Sequence, residues 1–119
     1  MKLLVILSTL VVLAVGQGTY TAENDDLDID GIVNDPKKLQ EWFGCFVDKS
    51  PCDNVQLSFK ADMPEAIREA CAKCTTAQKG ILKKFLVGLE EKAPADYEVF
   101  KKKYDSENKY IEPLKKAIA

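Results

Sequence analysis

The sequence predicts an all-α domain of about six short amphipathic helices clamped by two local disulfides. Cys45, Cys52, Cys71 and Cys74 are spaced C-x6-C and C-x2-C and follow an export-type leader. An even cysteine count in a short exported chain reads as a disulfide framework. Between and beyond the cysteines, apolar residues recur at i, i+3, i+4 and i+7, the period of one helix face.

The leader begins with Lys2 and an apolar run, Leu3 to Val15, broken only by Ser8 and Thr9. Ala14-Val15-Gly16 has the small-x-small form of a cleavage site, so residues 1–16 read as a cleaved signal peptide. Residues 17–119 read as one secreted, extracellular domain. The run is well short of the ~20 apolar residues a membrane span needs.

Gln17 to Asn24 is polar and reads as a loose lead-in. Leu27, Ile32 and Val33 suggest a short first helix ending near Asn34. Asp35-Pro36 opens the second, with an N-cap residue followed by proline at the first helical position. Leu39, Trp42, Phe43, Phe46 and Val47 form its stripe, and Ser50-Pro51 ends it, since proline disfavours helical geometry in the residue before it. Asn54 to Lys60, with alternating Val55, Leu57 and Phe59, reads as a loop with buried anchors, because an isolated strand would have no partner. The third helix is expected to start near Asp62-Met63-Pro64, with Met63, Ile67, Ala70, Cys71 and Cys74 on its inner face. Thr75 or Thr76 caps a fourth helix running to about Lys92, striped by Ile81, Leu82, Phe85, Leu86 and Leu89. Gly88 there permits a close helix crossing. A fifth helix follows Pro94, with Tyr97, Phe100 and Tyr104 inward. A short last helix holds Ile111, Leu114 and Ile118, its start delayed by Pro113.

Composition excludes several functions. The formal net charge is −2, the wrong sign for a nucleic-acid surface or for anionic lipid. The chain has no histidine, so neither a Ser-His-Asp nor a Cys-His arrangement can form within it. No other catalytic constellation is recognisable, and the chain reads as a non-enzyme without cofactor or metal. The acidic stretch from Glu23 to Asp35 and the basic Lys101, Lys102, Lys103, Lys109, Lys115 and Lys116 read first as solvated helix faces.

Four cysteines permit three pairings. Cys71 and Cys74 at i, i+3 would lie roughly 5 Å apart on a helix, within disulfide range. Cys45 and Cys52 would be about 10.5 Å apart along a continuous helix. They can bond only if the chain turns back, and Ser50-Pro51 supplies a turn. Geometry therefore favours Cys45–Cys52 and Cys71–Cys74. A four-cysteine zinc site is disfavoured by the wide C-x6-C half and by oxidising export. A thioredoxin-like motif is disfavoured because no βαβ pattern surrounds Cys71 and Cys74.

Several stretches together carry a resemblance: Tyr20-Thr21, Leu27-Asp28-Ile29-Asp30, Cys45-Phe46-Val47-Asp48-Lys49-Ser50-Pro51-Cys52, Met63-Pro64-Glu65-Ala66-Ile67, Cys71-Ala72-Lys73-Cys74-Thr75, Lys103-Tyr104-Asp105 and Asn108-Lys109-Tyr110. With the cysteine spacing they resemble the insect chemosensory protein family, also called OS-D-like or pherokine. The resemblance implies six helices around an apolar channel and soluble carriage of long-chain fatty acids, alcohols and pheromone- or odorant-like molecules, in sensillum fluid or a haemolymph-like fluid. Where this chain has Trp42 the family commonly has tyrosine, and where it has Tyr97, tryptophan. Asn24 replaces a frequent aromatic, and Ser50 a usual glycine.

On that basis Trp42, Phe43, Phe46, Ile67, Leu82, Leu86 and Tyr97 are the candidate lining, with the Tyr97 hydroxyl a candidate for a ligand headgroup. Leu39, Phe85, Leu89, Phe100, Tyr104, Ile111 and Leu114 read as structural. The expected carrier is a monomer with a small hydrophobic ligand. The alternative is an extracellular signalling or developmental protein that meets a receptor or other protein through Lys101, Lys102 and Lys103.

Overall fold

Six α-helices and no strand occur among the described residues of the computed structural model, which are 18–119. The leader expected over residues 1–16 and its cleavage site lie outside them. The helices are α1 (Ile29–Val33), α2 (Pro36–Phe46), α3 (Asn54–Arg68), α4 (Thr76–Lys92), α5 (Pro94–Tyr104) and α6 (Ile111–Ala117). α4 packs on α1 and α5, α2 packs on α1, α3 and α5, and α6 closes against α3. No helix among the described residues is long and apolar enough to cross a membrane.

Local chemistry explains where the helices begin. The Asp35 carboxylate accepts from Lys37 N at 3.0 Å, and Pro36 holds the first position of α2. The Thr75 hydroxyl accepts from Gln78 N while Gln78 Oε1 accepts from Thr75 N, a reciprocal cap for α4. The same device starts α3. Asp53 Oδ1 accepts from Gln56 N at 2.7 Å, and Gln56 Oε1 accepts from Asp53 N at 2.9 Å.

That cap corrects the loop expected over Asn54 to Lys60. The segment is helical and continues through Met63, so Pro64 lies inside α3 rather than at its start. Proline's missing N–H leaves the Lys60 carbonyl without its usual helical donor. Alternating Val55, Leu57 and Phe59 hid the helix because Val55 and Leu57 are exposed. Pro113 does not delay α6 either. It occupies the first turn, where backbone N–H groups have no helical acceptor.

Both cysteine pairs are bonded as geometry favoured, Cys45–Cys52 with Cα atoms 5.1 Å apart and Cys71–Cys74 with 5.0 Å. The backbone around them differs from expectation. α2 ends at Phe46, not at Ser50, because Asp48 turns left-handed at φ 63°. Lys49 N and Ser50 N then donate to Gly44 O. A Cβ at Gly44 would lie 2.4 Å from the Ser50 hydroxyl, so any larger residue there forces the Ser50 side chain to move. α3 ends at Arg68, before the second pair, and Ala70 and Cys71 have φ of 52° and 59°. Cys71 and Cys74 thus bridge a tight turn, not a helix face.

Ion pairs and a buried carboxylate hold the remaining junctions. Asp48 meets Lys60 of α3 and Lys103 of α5. Hydrogen bonds from Lys103 and then Lys60 draw its carboxyl down to about 2. Asp105, nearly fully buried, accepts from Lys109 N at 2.7 Å and from Tyr110 N and Ile111 N at 3.0 Å. Burial alone would raise its pKa, but those three backbone donors outweigh burial and hold it below the usual carboxylate range.

The core is continuous from Ile29 to Ile118 and includes Phe43, Ile67, Leu86, Leu89, Phe100 and Leu114. Gly88 meets α1 closely, as its place beside Leu89 suggested. A Cβ there would stand 3.0 Å from the Val33 side chain. At Gly80 a Cβ would meet nothing within 4 Å.

These contacts set the stability of several variants, measurable by urea denaturation. Gly80→Ala stabilises by up to about 1 kcal/mol through helix propensity alone. Gly88→Ala destabilises by about 1 kcal/mol because overpacking against Val33 exceeds that gain. In a Val33→Ala background Gly88→Ala becomes stabilising; a loss of equal size in both backgrounds contradicts the close crossing. Asp105→Ala costs about 3 kcal/mol at neutral pH by removing the acceptor of three backbone donors, of which Ile111 N is buried. Because the folded-state pKa is depressed, the carboxylate's contribution is complete above the ordinary carboxylate range and is lost as pH falls through the folded value. Asp105→Asn therefore narrows the stability gap between about pH 7 and pH 3.

Candidate functional site

Helical periodicity brings three apolar faces to one hollow. α2 contributes Trp42 and Phe46 at i, i+4. α3 contributes Phe59, Met63 and Ala66 at i, i+4, i+7. α4 contributes Ile81, Leu82 and Phe85 at i, i+1, i+4. Leu27 and Ile29 close the side at the start of α1, and Cys74 closes the α3–α4 turn. The cavity measures about 60 Å³. Ligand pockets for drug-sized molecules run to roughly 300–1,000 Å³, so this one holds only a short apolar segment until its walls move.

The aromatic wall is ordered edge to face. Trp42 meets Phe46 with ring centroids 5.8 Å apart and Phe59 at 5.9 Å, and Phe46 meets Phe85 at 5.3 Å. The row continues to Phe100 at 5.8 Å and on to Tyr104 at 4.8 Å. The Tyr104 hydroxyl donates to Phe46 O, which anchors the row's far end to α2. Burial, with the Asp48 charge adding to it, pushes that phenol up to about 12.

Tyr20, Asp62 and Gln78 are the polar lining. Tyr20 N donates to Lys73 O at 2.8 Å, and its hydroxyl donates to Glu65 Oε1 at 2.8 Å. Burial, then this bond to a carboxylate, raises the Tyr20 pKa well above its ordinary value. Gln78 Nε2 donates to Thr21 O at 2.8 Å, and the Thr75 hydroxyl donates to Asp25 at 3.1 Å. The lead-in expected to be loose is therefore tied across one edge of the cavity from residue 20 onward. Asp62 has no hydrogen bond or ion pair to a side chain or backbone group among the described residues. Burial, then the nearby Glu65 charge, raises its pKa.

Beyond Trp42 lies an open groove of about 700 Å³ between α1, α2 and the Ser50–Asp53 turn. Leu27 and Trp42 line both spaces, so this pair forms the partition between groove and cavity. Asp28, Lys38 and Glu41 give the groove a mixed polar rim.

Of the expected lining, Trp42, Phe46 and Leu82 meet at this cavity. Phe43, Ile67, Leu86 and Tyr97 are each at most 3% exposed and belong to the core outside it. Tyr97 faces α6. Its ring lies under Lys101 and Lys115, at 5.0 and 5.3 Å, and its buried hydroxyl has no hydrogen-bond partner among the described residues. Phe85, read as structural, lines the cavity. Phe59 was missed because α3 was started too late; a helix period run backward from Ile67 passes through Met63 to Phe59. Asp62 and Met63 stood at the expected helix start, Met63 on its inner face, but neither was taken as lining. Tyr20 carried no periodic signal, since it lies in irregular chain.

The basic C-terminal residues are largely paired. Lys101 meets Glu98 at 3.0 Å, Lys103 meets Asp48 at 2.7 Å, and Lys115 meets Glu90 at 3.2 Å. Among the described residues, no ion pair forms at Lys102. No group of three or more His, Cys, Asp or Glu among them is placed to hold a metal ion.

Residues 20–112 match the insect pheromone-binding family A10/OS-D. The chain is 29% identical over 112 residues to ejaculatory bulb-specific protein 3 of Drosophila melanogaster, spanning 93% of this chain and 89% of that one. It is 31% identical over 97 residues to allergen Tha p 1 of Thaumetopoea pityocampa, spanning 82% of this chain and 77% of the relative. A solved chemosensory protein in complex with bromo-dodecanol shares the fold with a TM-score of 0.76 at 20% identity, over 82% of this chain and 98% of that chain.

Leu82 borders space that is already empty, so truncating it enlarges a void instead of creating a separate one. Leu82→Ala is expected to cost about 3 kcal/mol in urea denaturation. Leu57→Ala, on the exposed face of α3, is expected to stay within about 0.5 kcal/mol. Equal costs at the two positions would contradict the placement of the cavity.

Proposed function

We propose a carrier function from one premise: the chain belongs to the insect A10/OS-D pheromone-binding family. Family and fold are those of binding or carrier proteins. In this reading the protein is a secreted carrier of small hydrophobic molecules, held by their chains between α2, α3 and α4. Long-chain alcohols, fatty acids and pheromone- or odorant-like compounds are its candidate cargo. The observation that carries the reading is a cavity walled by apolar side chains from three helices with only three polar residues on its lining.

The mechanism is transfer of apolar surface out of water. Each buried CH₂ contributes about 0.8 kcal/mol, so a twelve-carbon chain gains about 10 kcal/mol before association costs. Association costs of about 4 kcal/mol leave about 6 kcal/mol from the chain, so micromolar affinity, about 8 kcal/mol, asks for nearly complete burial of the chain together with a contact at its head. The small unfilled volume means that burial comes with displacement of Trp42, Phe59 or the Tyr20 segment. Trp42 and Phe59 are the half-buried members of the aromatic wall. Fully buried Phe46 and Phe85 then act as the fixed floor. A chain that entered past Trp42 would come from the open groove.

The family match and the bromo-dodecanol held by the structural neighbour support cargo of this kind. Of Lys101, Lys102 and Lys103, the residues a protein partner was expected to read, Lys101 and Lys103 are already paired within the fold and Lys102 forms no ion pair among the described residues. Carriage therefore takes precedence over the signalling reading.

Trp42 is the sole tryptophan, so its emission reports on the cavity without a label. Titration with a brominated dodecanol is expected to quench that emission saturably, in the micromolar range. Octane-sized neutral chains compete more weakly, in proportion to the CH₂ groups they bury. Quenching that rises linearly without saturation, like that of free tryptophan, would falsify the carrier reading.

A further inference from the structure

Of the polar side chains that line the cavity, Tyr20 and Gln78 are used by the fold and Asp62 is not. Glu65 accepts from the Tyr20 hydroxyl and pairs with Lys73 at 3.4 Å. Asp25 accepts from the Thr75 hydroxyl. Gln78 spends its oxygen on the Thr75 N–H and its nitrogen on the Thr21 carbonyl. Asp62 lines the cavity beside Met63 and Ala66 and keeps all its acceptor capacity. A half-buried carboxylate on an apolar wall gains most from a ligand group that donates a hydrogen bond.

We propose that Asp62 selects the headgroup of the cargo: the site takes long-chain molecules ending in an uncharged hydroxyl donor, primary alcohols above all, and turns away carboxylates of equal chain length. The proposal rests on the carrier reading and narrows it. Chain burial supplies affinity to both classes alike, so it cannot discriminate between them. Discrimination arises at the head. An alcohol O–H donates to the free Asp62 oxygens. A carboxylate meets a like charge at a place where burial already disfavours ionisation. No cation on the lining offsets this, because Lys73 is committed to Glu65, and Arg68 is exposed beyond the end of the cavity wall. Glu65 and the Gln78 side-chain oxygen are already engaged by Tyr20, Lys73 and the Thr75 N–H, so Asp62 is the carboxylate on the lining without a donor.

The experiment compares dodecanol with dodecanoate as displacers of an uncharged fluorescent probe at about pH 8, where both carboxyls are ionised. It uses the wild-type protein, Asp62→Asn and Asp62→Ser. The dodecanoate-to-dodecanol ratio of dissociation constants is expected to fall by about tenfold in both variants, most of it from tighter dodecanoate binding. The probe's own affinity is expected to stay within about twofold, which separates a headgroup effect from a damaged cavity. An unchanged ratio in both variants, with the probe still saturating, overturns the role of Asp62 and leaves the carrier reading standing. Failure of the probe to saturate on the wild-type protein removes the carrier reading, and this inference with it.

Discussion

The structure depends on two short covalent loops that fix how α2 hands over to α3 and α3 to α4. Each loop lies where the backbone enters left-handed geometry without glycine: Asp48 in the first, Ala70 and Cys71 in or beside the second. Such residues are uncommon and costly, and they persist where surrounding bonds over-determine them. Here a disulfide closes each reversal. The Asp48 ion pairs with Lys60 and Lys103 add a further tie at the first. The three helices that wall the cavity therefore leave their junctions in set directions. Chain-entropy arguments give such small loops only about 2 kcal/mol each, so their main effect is on geometry.

Fixed directions have a consequence for packing. The aromatic row from Trp42 through Phe46 and Phe85 to Phe100 and Tyr104 divides the bundle into unlike halves. On one side, Leu89, Ile111 and Leu114 are at most 1% exposed and belong to the filled core. On the other, Phe59, Met63 and Leu82 border unfilled space. An apolar void forfeits dispersion contacts that a tighter interior would make. A fold that keeps one gives up stability for room.

Much of this was legible in the chain. Asp35-Pro36, the Thr75 cap, the α4 stripe and the local cysteine pairing all rest on short-range geometry, and short-range geometry survives into the fold. Gly88 was readable for the same reason: a glycine in a helical stripe beside Leu89 implies a neighbour too close for a Cβ. What escaped was of two kinds. The start of α3 was hidden by exposed Val55 and Leu57, whose alternation imitates a strand, and by Pro64, which looks like a first-turn proline but lies mid-helix. The capping pair Asp53 and Gln56 was the available signal. The second kind is tertiary. Nothing in periodicity says which of two equally apolar residues, Leu82 or Leu86, borders a void and which is sealed, because both lie on the buried side of α4. Tyr97 shows the same limit: its spacing places it inward, but only the packing of α6 decides that Lys115 rather than a cavity lies against it.

The central claim is that an apolar chain enters the hollow half and not the solid one. The most direct measurement is nuclear Overhauser contact between the chain protons of isotopically labelled dodecanol and the protein's methyl groups in solution. Contacts to Met63, Ala66, Ile81 and Leu82, with none to Leu89, Ile111 or Leu114, are the predicted result. Contacts confined to exposed Leu57 and Val87, or spread over the α4–α5–α6 core, would contradict it.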